Sequence, residues 1–446
     1  VSIGTDESTY VGPDGSPEFN FQWYVDRKLL HSIHTSERRS FRGCRRRHQW
    51  IFREYWYPQV QAKPLDFGVA YHYAMEQIYN PDTWFTLTAE EKLQKAKEAF
   101  IEKCTEQFRG FESATASGAD QEVLDDYKER TELGLGMLEY YVQHLLPYET
   151  EMIPVKVEVS FEVPISNPDT GELLWCKCRD CWRRFCAWCY ESNGGKFINT
   201  LGHEVDLNVG QVGAWGDIQW AHWQGHPVSY GGRLDVLMQD ADGRYWVLDW
   251  KTAARMSGDR DEYLLLDDQI TSYVWAMWLC GIRVAGFLYH EQKKAYPLPP
   301  EPNKVRRLGR LYSVSKNQDT TAELYTETVS ELDPFAYEQG LYDDFIEYLR
   351  EQGGVFHHRA KVYRNQNELL SAGRNIFLEA SDIVDPNLRV YPNAGRFSCG
   401  GCAFRQPCLG MNANEDYMFT LESMYVKRSY HYWEAKEAST DNKAGE

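Results

Sequence analysis

The 446-residue chain lacks a long hydrophobic run: its longest strongly apolar stretch, Tyr273 to Ile282, is about half a membrane span and is followed by Arg283. No membrane helix is expected. Residues 1 to about 20 carry Asp, Glu, Gly and Pro, with no basic segment leading into an apolar one, so they do not read as a secretory signal. A GxxxxGK[ST] phosphate loop is missing as well, which argues against an ATP-driven helicase motor in this chain, and no internal repeat is found. Positive charge is scarce: 48 Lys and Arg face 66 Asp and Glu, a net charge of -18. Such a balance opposes a protein that coats nucleic acid over its whole surface. The 11 cysteines are too sparse for a small disulfide scaffold and odd in number. They fall into groups, which points to metal ligation in a reducing compartment.

What the chain does have is core material, with 43% apolar residues, 15 Trp, 29 Tyr and 20 Phe. At roughly 150 residues per domain, its length allows about three domains or one core with large insertions. The order of patterns divides it into an N-terminal arm with a basic segment (1–63), a helical region (64–154), a core (155–293) holding a Cys-, Trp- and Gly-rich insertion (176–230), a C-terminal extension (294–424) and a polar tail (425–446) expected to be flexible. Pro64 can open a helix on which Gly68, His72 and Glu76 share a face, and Thr88 with Glu91 reads as a capping box. Val155, Val157, Val159 and Phe161 alternate with polar residues as in a half-buried strand. Strands over 232–239 and 245–250 flank Asp240-Ala-Asp-Gly243, a hairpin turn signal. A helix over 267–280, a strand over 282–290 and a long helix from Leu332 to Arg350 follow.

Chemistry concentrates in Gly232-Arg-Leu-Asp235 and Asp249-Trp-Lys251-Thr252. Asp249 and Lys251 are two apart on a strand and share a face, and the hairpin can bring Asp235 beside them. Adjacent carboxylates repel, and a divalent cation between them offsets that repulsion while polarising a phosphate and acidifying water. Oxygen donors of this kind suit Mg2+ or Mn2+. A surface hairpin with solvated Asp and Lys has the same spacing, so the order of the surrounding motifs has to decide.

Gly68-x-x-x-His72, Gly232-Arg-Leu-Asp235, Asp249-Trp-Lys251-Thr252 and Gln269-x-x-x-Tyr273 together resemble the ordered motifs of the PD-(D/E)XK nuclease superfamily, and more narrowly its RecB-type exonucleases, including AddB-like and CRISPR-adaptation nucleases. The resemblance implies an α/β, restriction-endonuclease-like core: a central mixed β-sheet flanked by helices, here with a helical lobe and the Cys-rich insertion added. It also implies that His72, Asp235, Asp249 and the backbone carbonyl of Trp250 hold the catalytic metal, with Lys251 as catalytic lysine. Gln269 and Tyr273 match the helix motif that contacts nucleic acid. Glu76 shares the face of His72 and Glu158 lies on the preceding strand; neither is assigned a role.

The cysteines read as two sites. Cys399-x2-Cys402-x5-Cys408 supplies three soft ligands among turn-forming Gly400, Gly401 and Pro407. Relatives that pair a RecB-like nuclease with a cluster place one cysteine upstream, and Ser40-Phe-Arg-Gly-Cys44 resembles that segment, which implies a [4Fe-4S] cluster on Cys44, Cys399, Cys402 and Cys408. Zinc in the same sites, or plain thiols, is the competing reading. In the insertion, Cys178-x2-Cys181 and Cys186-x2-Cys189 could ligate tetrahedral Zn2+, with reduced thiols in a Cys- and Trp-rich segment as the alternative.

Between Ser36 and Trp50 lie six Arg and one Glu, a local balance of +5. Arg45 and Arg46 could pair with phosphates while nearby rings stack on unpaired bases; a solvated charge run is the other reading. The function expected is metal-dependent exonuclease action on DNA, on single strands or ends, in phage-like recombination or DNA processing, with a helicase, recombinase or integrase as partner. Its expected location is cytoplasmic or nucleoid-associated, including a phage-infected bacterial cell. A CRISPR-adaptation-type end-trimming nuclease and a non-catalytic iron-sulfur DNA-binding subunit are the alternatives.

Overall fold

The computed structural model describes residues 21–26, 29–59, 63–114, 121–149, 151–178, 181, 197–198, 204–205, 225–256, 260–351 and 355–427. Strand β1 (His31–His34) leads into helix α1 (Thr35–Gly43). Helices α2 (Lys63–Ile78), α3 (Ala89–Ala114) and α4 (Gln121–His144) follow. The expected capping box forms at the start of α3: the Glu91 carboxylate accepts from Thr88 N at 2.8 Å, and Thr88 Oγ1 accepts from Glu91 N at 3.2 Å.

The sheet is built on strand β4 (His226–Asp240), which begins inside the segment assigned to the Cys-rich insertion. β2 (Met152–Pro164) runs antiparallel along it, and β3 (Trp175–Cys176) pairs with its first residues. On the opposite side from β2, β4 meets two strands in turn: β1, parallel, as far as His34↔Gly231, then β5 (Tyr245–Ala253), antiparallel, from Val236↔Leu248 onward. Between them, Gly232 to Asp235 have no neighbour in the ladder on that side, so the sheet forks there. β6 (Val284–Lys293) pairs parallel with β5, and β7 (His357–Val362) closes the sheet antiparallel to β6. The result is the expected α/β architecture with a mixed sheet.

Two apolar cores sit on the two faces. Phe67, Tyr71, Met75 and Ile78 of α2 pack with α3 and α4 over Trp246, Leu248 and Trp250. Ile270, Tyr273, Val274 and Met277 of α5 (Asp268–Leu279), with α6 (Gln366–Val384), cover the other. The alternation expected of β2 holds only in part. Val157 packs toward the α2 core but Val159 and Phe161 toward the α5 core; on β4, Val236 and Leu234 divide the same way. Residues two apart normally share a face. The pleat therefore reverses at Glu158, whose φ is 49, directly across from Asp235 in the ladder Val157↔Val236, Val159↔Leu234. Val155 sits at a separate register shift between Pro154 and Lys156 and is exposed.

Two further expectations change. The long helix over 332–350 is instead Pro334–Glu338 and Asp343–Glu351, because Gly340 turns the chain at φ 70 and Pro334 starts a new first turn. The tail expected from 425 starts with a strand, Tyr425–Lys427, that pairs with Trp56–Pro58; residues 428–446 lie outside the described residues. Among the described residues no helix is long and apolar enough to cross a membrane.

Candidate functional site

The fork in the sheet is where the motif side chains meet. With β1 gone and β5 diverging, the Trp250 N–H is not taken by β4 backbone; it donates to Asp235 Oδ2 at 2.8 Å. The N–H and C=O of a strand residue point to the same side, so the Trp250 carbonyl faces Asp235 too. Asp249 and Lys251 share a face of β5, and the Lys251 ammonium is in ion-pair contact with Asp249 Oδ2. From α2, Gly68 comes nearest to Thr252 of β5, and one turn on His72 Nδ1 lies 3.6 Å from Asp235 Oδ1. Gln269 Nε2 of α5 donates to Asp249 Oδ1 at 3.4 Å. Tyr273, one turn further and only 8% exposed, sets its ring against Phe161 at 5.5 Å and hydrogen-bonds Gln269. His72, Asp235, Asp249, Lys251, Gln269 and Tyr273 are thus brought together at the fork.

The charges are unequally satisfied. Burial raises the Asp249 carboxyl, which is 3% exposed; Lys251 opposes this and Asp235 adds to it, leaving the group pushed up to about 6. Burial acts the same way on Asp235, but His72, Lys251 and the Trp250 N–H outweigh it and hold this carboxyl below its ordinary value. His72 in turn is raised to about 8, since Asp235 overcomes the burial that disfavours its cation. Burial also disfavours the Lys251 cation, yet Asp249 and Asp235 hold its pKa above the usual lysine value.

Two acids left unassigned by sequence belong to the same cluster. Glu76, one turn past His72, shares a hydrogen bond with Glu158 and is pushed up to about 8, by burial first and then by Glu158 and Asp235. Glu158 Oε2 accepts from Arg233 Nη1 at 2.6 Å, and its carboxyl is raised by burial against that pairing. The signals were the four-residue step from His72 to Glu76 and the strand register that sets Glu158 opposite Asp235. A left-handed, non-glycine residue costs on the order of 1–3 kcal/mol and gathers at functional sites, which fits Glu158.

The cysteines occupy two other regions. Asn393 N approaches Cys44 Sγ at 3.5 Å, Gly395 N approaches Cys399 Sγ at 3.5 Å, and Arg46 Nη1 donates to Cys408 Sγ at 3.3 Å. Cys402, its thiol raised by burial first, feels both Cys44 and Cys399. Cys44 and Cys399 thus lie near enough to Cys402 to act on it, and Cys402 and Cys408 border the same apolar core. In the middle group, Cys178 and Cys181 come together with Cys176 and His31, the four ligand atoms lying within 4.8 Å of one another; Cys186 and Cys189 are outside the described residues.

The basic run is largely engaged within the protein. Arg38 is fully buried between Asp268 and Glu379, and Arg42 reaches the same two acids. Arg45 pairs with Asp382 at 3.3 Å between the rings of Phe41 and Tyr391, while Arg46 also donates to Asn412 at 2.9 Å.

No curated protein matches the chain. A family profile does: that of the PD-(D/E)XK nuclease superfamily, over residues 35–409, from the start of α1 to just beyond Cys408.

Proposed function

The chain belongs to the PD-(D/E)XK nuclease superfamily, and from that membership we propose that it is a deoxyribonuclease, an exonuclease hydrolysing phosphodiester bonds at DNA ends or in single strands with Mg2+ or Mn2+. The observation that carries this reading is the meeting of His72, Asp235, Asp249 and Lys251 at the fork of the sheet. These donors fit a hard divalent cation: oxygen and imidazole ligands converge, and burial, with neighbouring carboxylates adding to it, raises both Asp249 and Glu76, a cost that a bound cation would offset. His72, Asp235, Asp249 and the Trp250 carbonyl would hold the ion, which when bound neutralises the carboxylates, polarises the phosphate and acidifies water.

Lys251 stays protonated beside Asp249 and Asp235 and is half exposed, so it serves as a fixed positive charge toward a phosphate rather than as a proton acceptor. Gln269 orients the far oxygen of Asp249 and Tyr273 steadies Gln269, in addition to the nucleic-acid contact their motif implies. Arg45 and Arg46 are the proposed phosphate contacts, which requires them to exchange their pairing with Asp382, Asn412 and Cys408 for a phosphate.

The finer placement, an iron-sulfur RecB- or AddB-like branch, belongs to the same proposal. The nearness of Cys402 to Cys44 and Cys399, and the donors aimed at the other three sulfurs, support a [4Fe-4S] cluster on Cys44, Cys399, Cys402 and Cys408. DNA processing or phage-like recombination, alongside a helicase, recombinase or integrase, is the setting proposed.

Asp249→Ala and Lys251→Ala, purified with their iron content intact, are expected to lose cleavage of end-labelled single- and double-stranded DNA in Mg2+ or Mn2+ by at least about 100-fold. Wild-type rates in either variant would remove that residue from the reaction, and DNA binding without cleavage by the wild-type chain would favour a non-catalytic binding subunit.

A further inference from the structure

A second cluster of ligand-type side chains lies away from the fork, at the start of β4. His31 opens β1, which runs along one side of β4 from Val228. Cys176 ends β3, paired with His226 of β4, while Cys178 and Cys181 follow in the next few residues. His31, Cys176 and Cys181 are buried and Cys178 is half-buried, and none of the three cysteines is in a disulfide.

We propose that His31, Cys176, Cys178 and Cys181 form a closed, tetrahedral zinc site that fastens the Cys-rich segment to the edge strand β1. The distances carry it. With Zn–S near 2.3 Å and Zn–N near 2.0–2.1 Å, the edges of a zinc tetrahedron are about 3.8 Å between sulfurs and about 3.6 Å between nitrogen and sulfur. Cys176 Sγ and Cys181 Sγ are 3.7 Å apart, and His31 Nδ1 lies 3.2 Å from Cys181 Sγ. A disulfide would require about 2.05 Å between sulfurs. The Cys178 N–H points at Cys176 Sγ from 3.4 Å, the kind of donor that orients a ligating thiolate. Gly225, at φ 102, lets the chain pass this site on its way into β4: a Cβ there would meet the Cys176 carbonyl oxygen at 2.8 Å.

One imidazole and three thiolates suit zinc and leave no open position for substrate, so the site holds structure rather than performing chemistry. It replaces the pairing of Cys178 and Cys181 with Cys186 and Cys189, drawing instead on a histidine some 150 residues away in sequence. Sequence spacing alone conceals such a ligand, because β1 reaches the cysteines only through its pairing with β4. The proposal stands apart from the nuclease reading and uses none of its residues.

The full chain, purified from zinc-supplemented culture, is expected to hold about one zinc in addition to any iron, with an X-ray absorption fine structure of three sulfurs and one nitrogen. His31→Ala and Cys181→Ser are expected to lower zinc content at least about fivefold while iron per chain stays unchanged, and His31→Cys to restore zinc with four sulfurs. Should the first two variants fail to fold, the wild-type absorption spectrum and His31→Cys decide alone. An all-sulfur wild-type shell, zinc retained in Cys181→Ser, zinc lost in Cys186→Ser but kept in His31→Ala, or iron lost in place of zinc would each overturn the assignment.

Discussion

At the scale of the residue, the most constrained position in the site has no side chain. Gly232 opens the motif that ends in Asp235, and a Cβ there would lie 2.5 Å from the Phe161 ring and 3.3 Å from that of Tyr273. Phe161 is held between Tyr230 and Tyr273 and cannot swing aside, so the strain would pass to Tyr273, then to Gln269 and Asp249. Gly232→Ala is expected to cost about 1–3 kcal/mol, the range for overpacking a filled core, in denaturant unfolding, and to lower cleavage as well. Unchanged unfolding would show that the rings yield freely. The residues carrying the motifs were legible because their types and order are unusual together. Glu76 was legible as a neighbour of His72 from the four-residue step between them, but Glu158 and Arg233 were not, because their pairing depends on a pleat reversal at a residue with φ 49, which no local propensity announces.

Elements joined by charge show what composition concealed. The +5 segment reads as a surface for phosphate, yet α1 uses Arg38 to bind two helices of the α5 face: Nη2 to Asp268 at 3.1 Å, Nη1 to Ser272 at 2.9 Å and Nε to Glu379 at 2.7 Å. Long-range pairing of this kind is invisible to a charge count, whereas the helices and strands themselves were legible from periodicity and turn chemistry. The exceptions were β1, β7 and α6, which had no expected counterpart, and the break between 332 and 350, which came from Pro334 and Gly340 overriding an apolar face that continues in Phe345, Ile346 and Leu349. Arg38→Ala would leave Asp268 and Glu379 with only the more exposed Arg42 as a shared cation. Removing one partner of a buried ion pair costs 3–5 kcal/mol, and the partial exposure of Asp268 and Glu379 places this case at about 3 kcal/mol. Equilibrium unfolding measures it, and a loss no larger than that of Arg42→Ala, whose guanidinium is 40% exposed, would contradict the structural role.

Across the whole molecule, the segment around Cys44 meets the segment from 393 to 408, far along the sequence from it. Asn393 meets Cys44 over 349 positions, and Arg46 meets Cys408 over 362. A covalent link closing a loop of that size removes chain entropy worth roughly 5–6 kcal/mol from the unfolded state, by the relation used for disulfides. The effect of losing the proposed cluster falls below that ceiling, because Trp50, Trp56, Phe404, Leu421 and Tyr425 already form one apolar core and Trp56–Pro58 pairs with Tyr425–Lys427. The groups at the fork, by contrast, stand on α2, β4, β5 and α5, and none of the hydrogen bonds or ion pairs described for them reaches the four cysteines. Cys44→Ser is therefore expected to abolish iron binding, lower the thermal midpoint and speed proteolysis of the segment from 385 to 427, while metal-dependent cleavage at moderate temperature stays within about tenfold of wild type. A fall in cleavage matching that of Asp249→Ala, with the thermal midpoint unmoved, would place the cluster in the chemistry instead of in the closure of the chain.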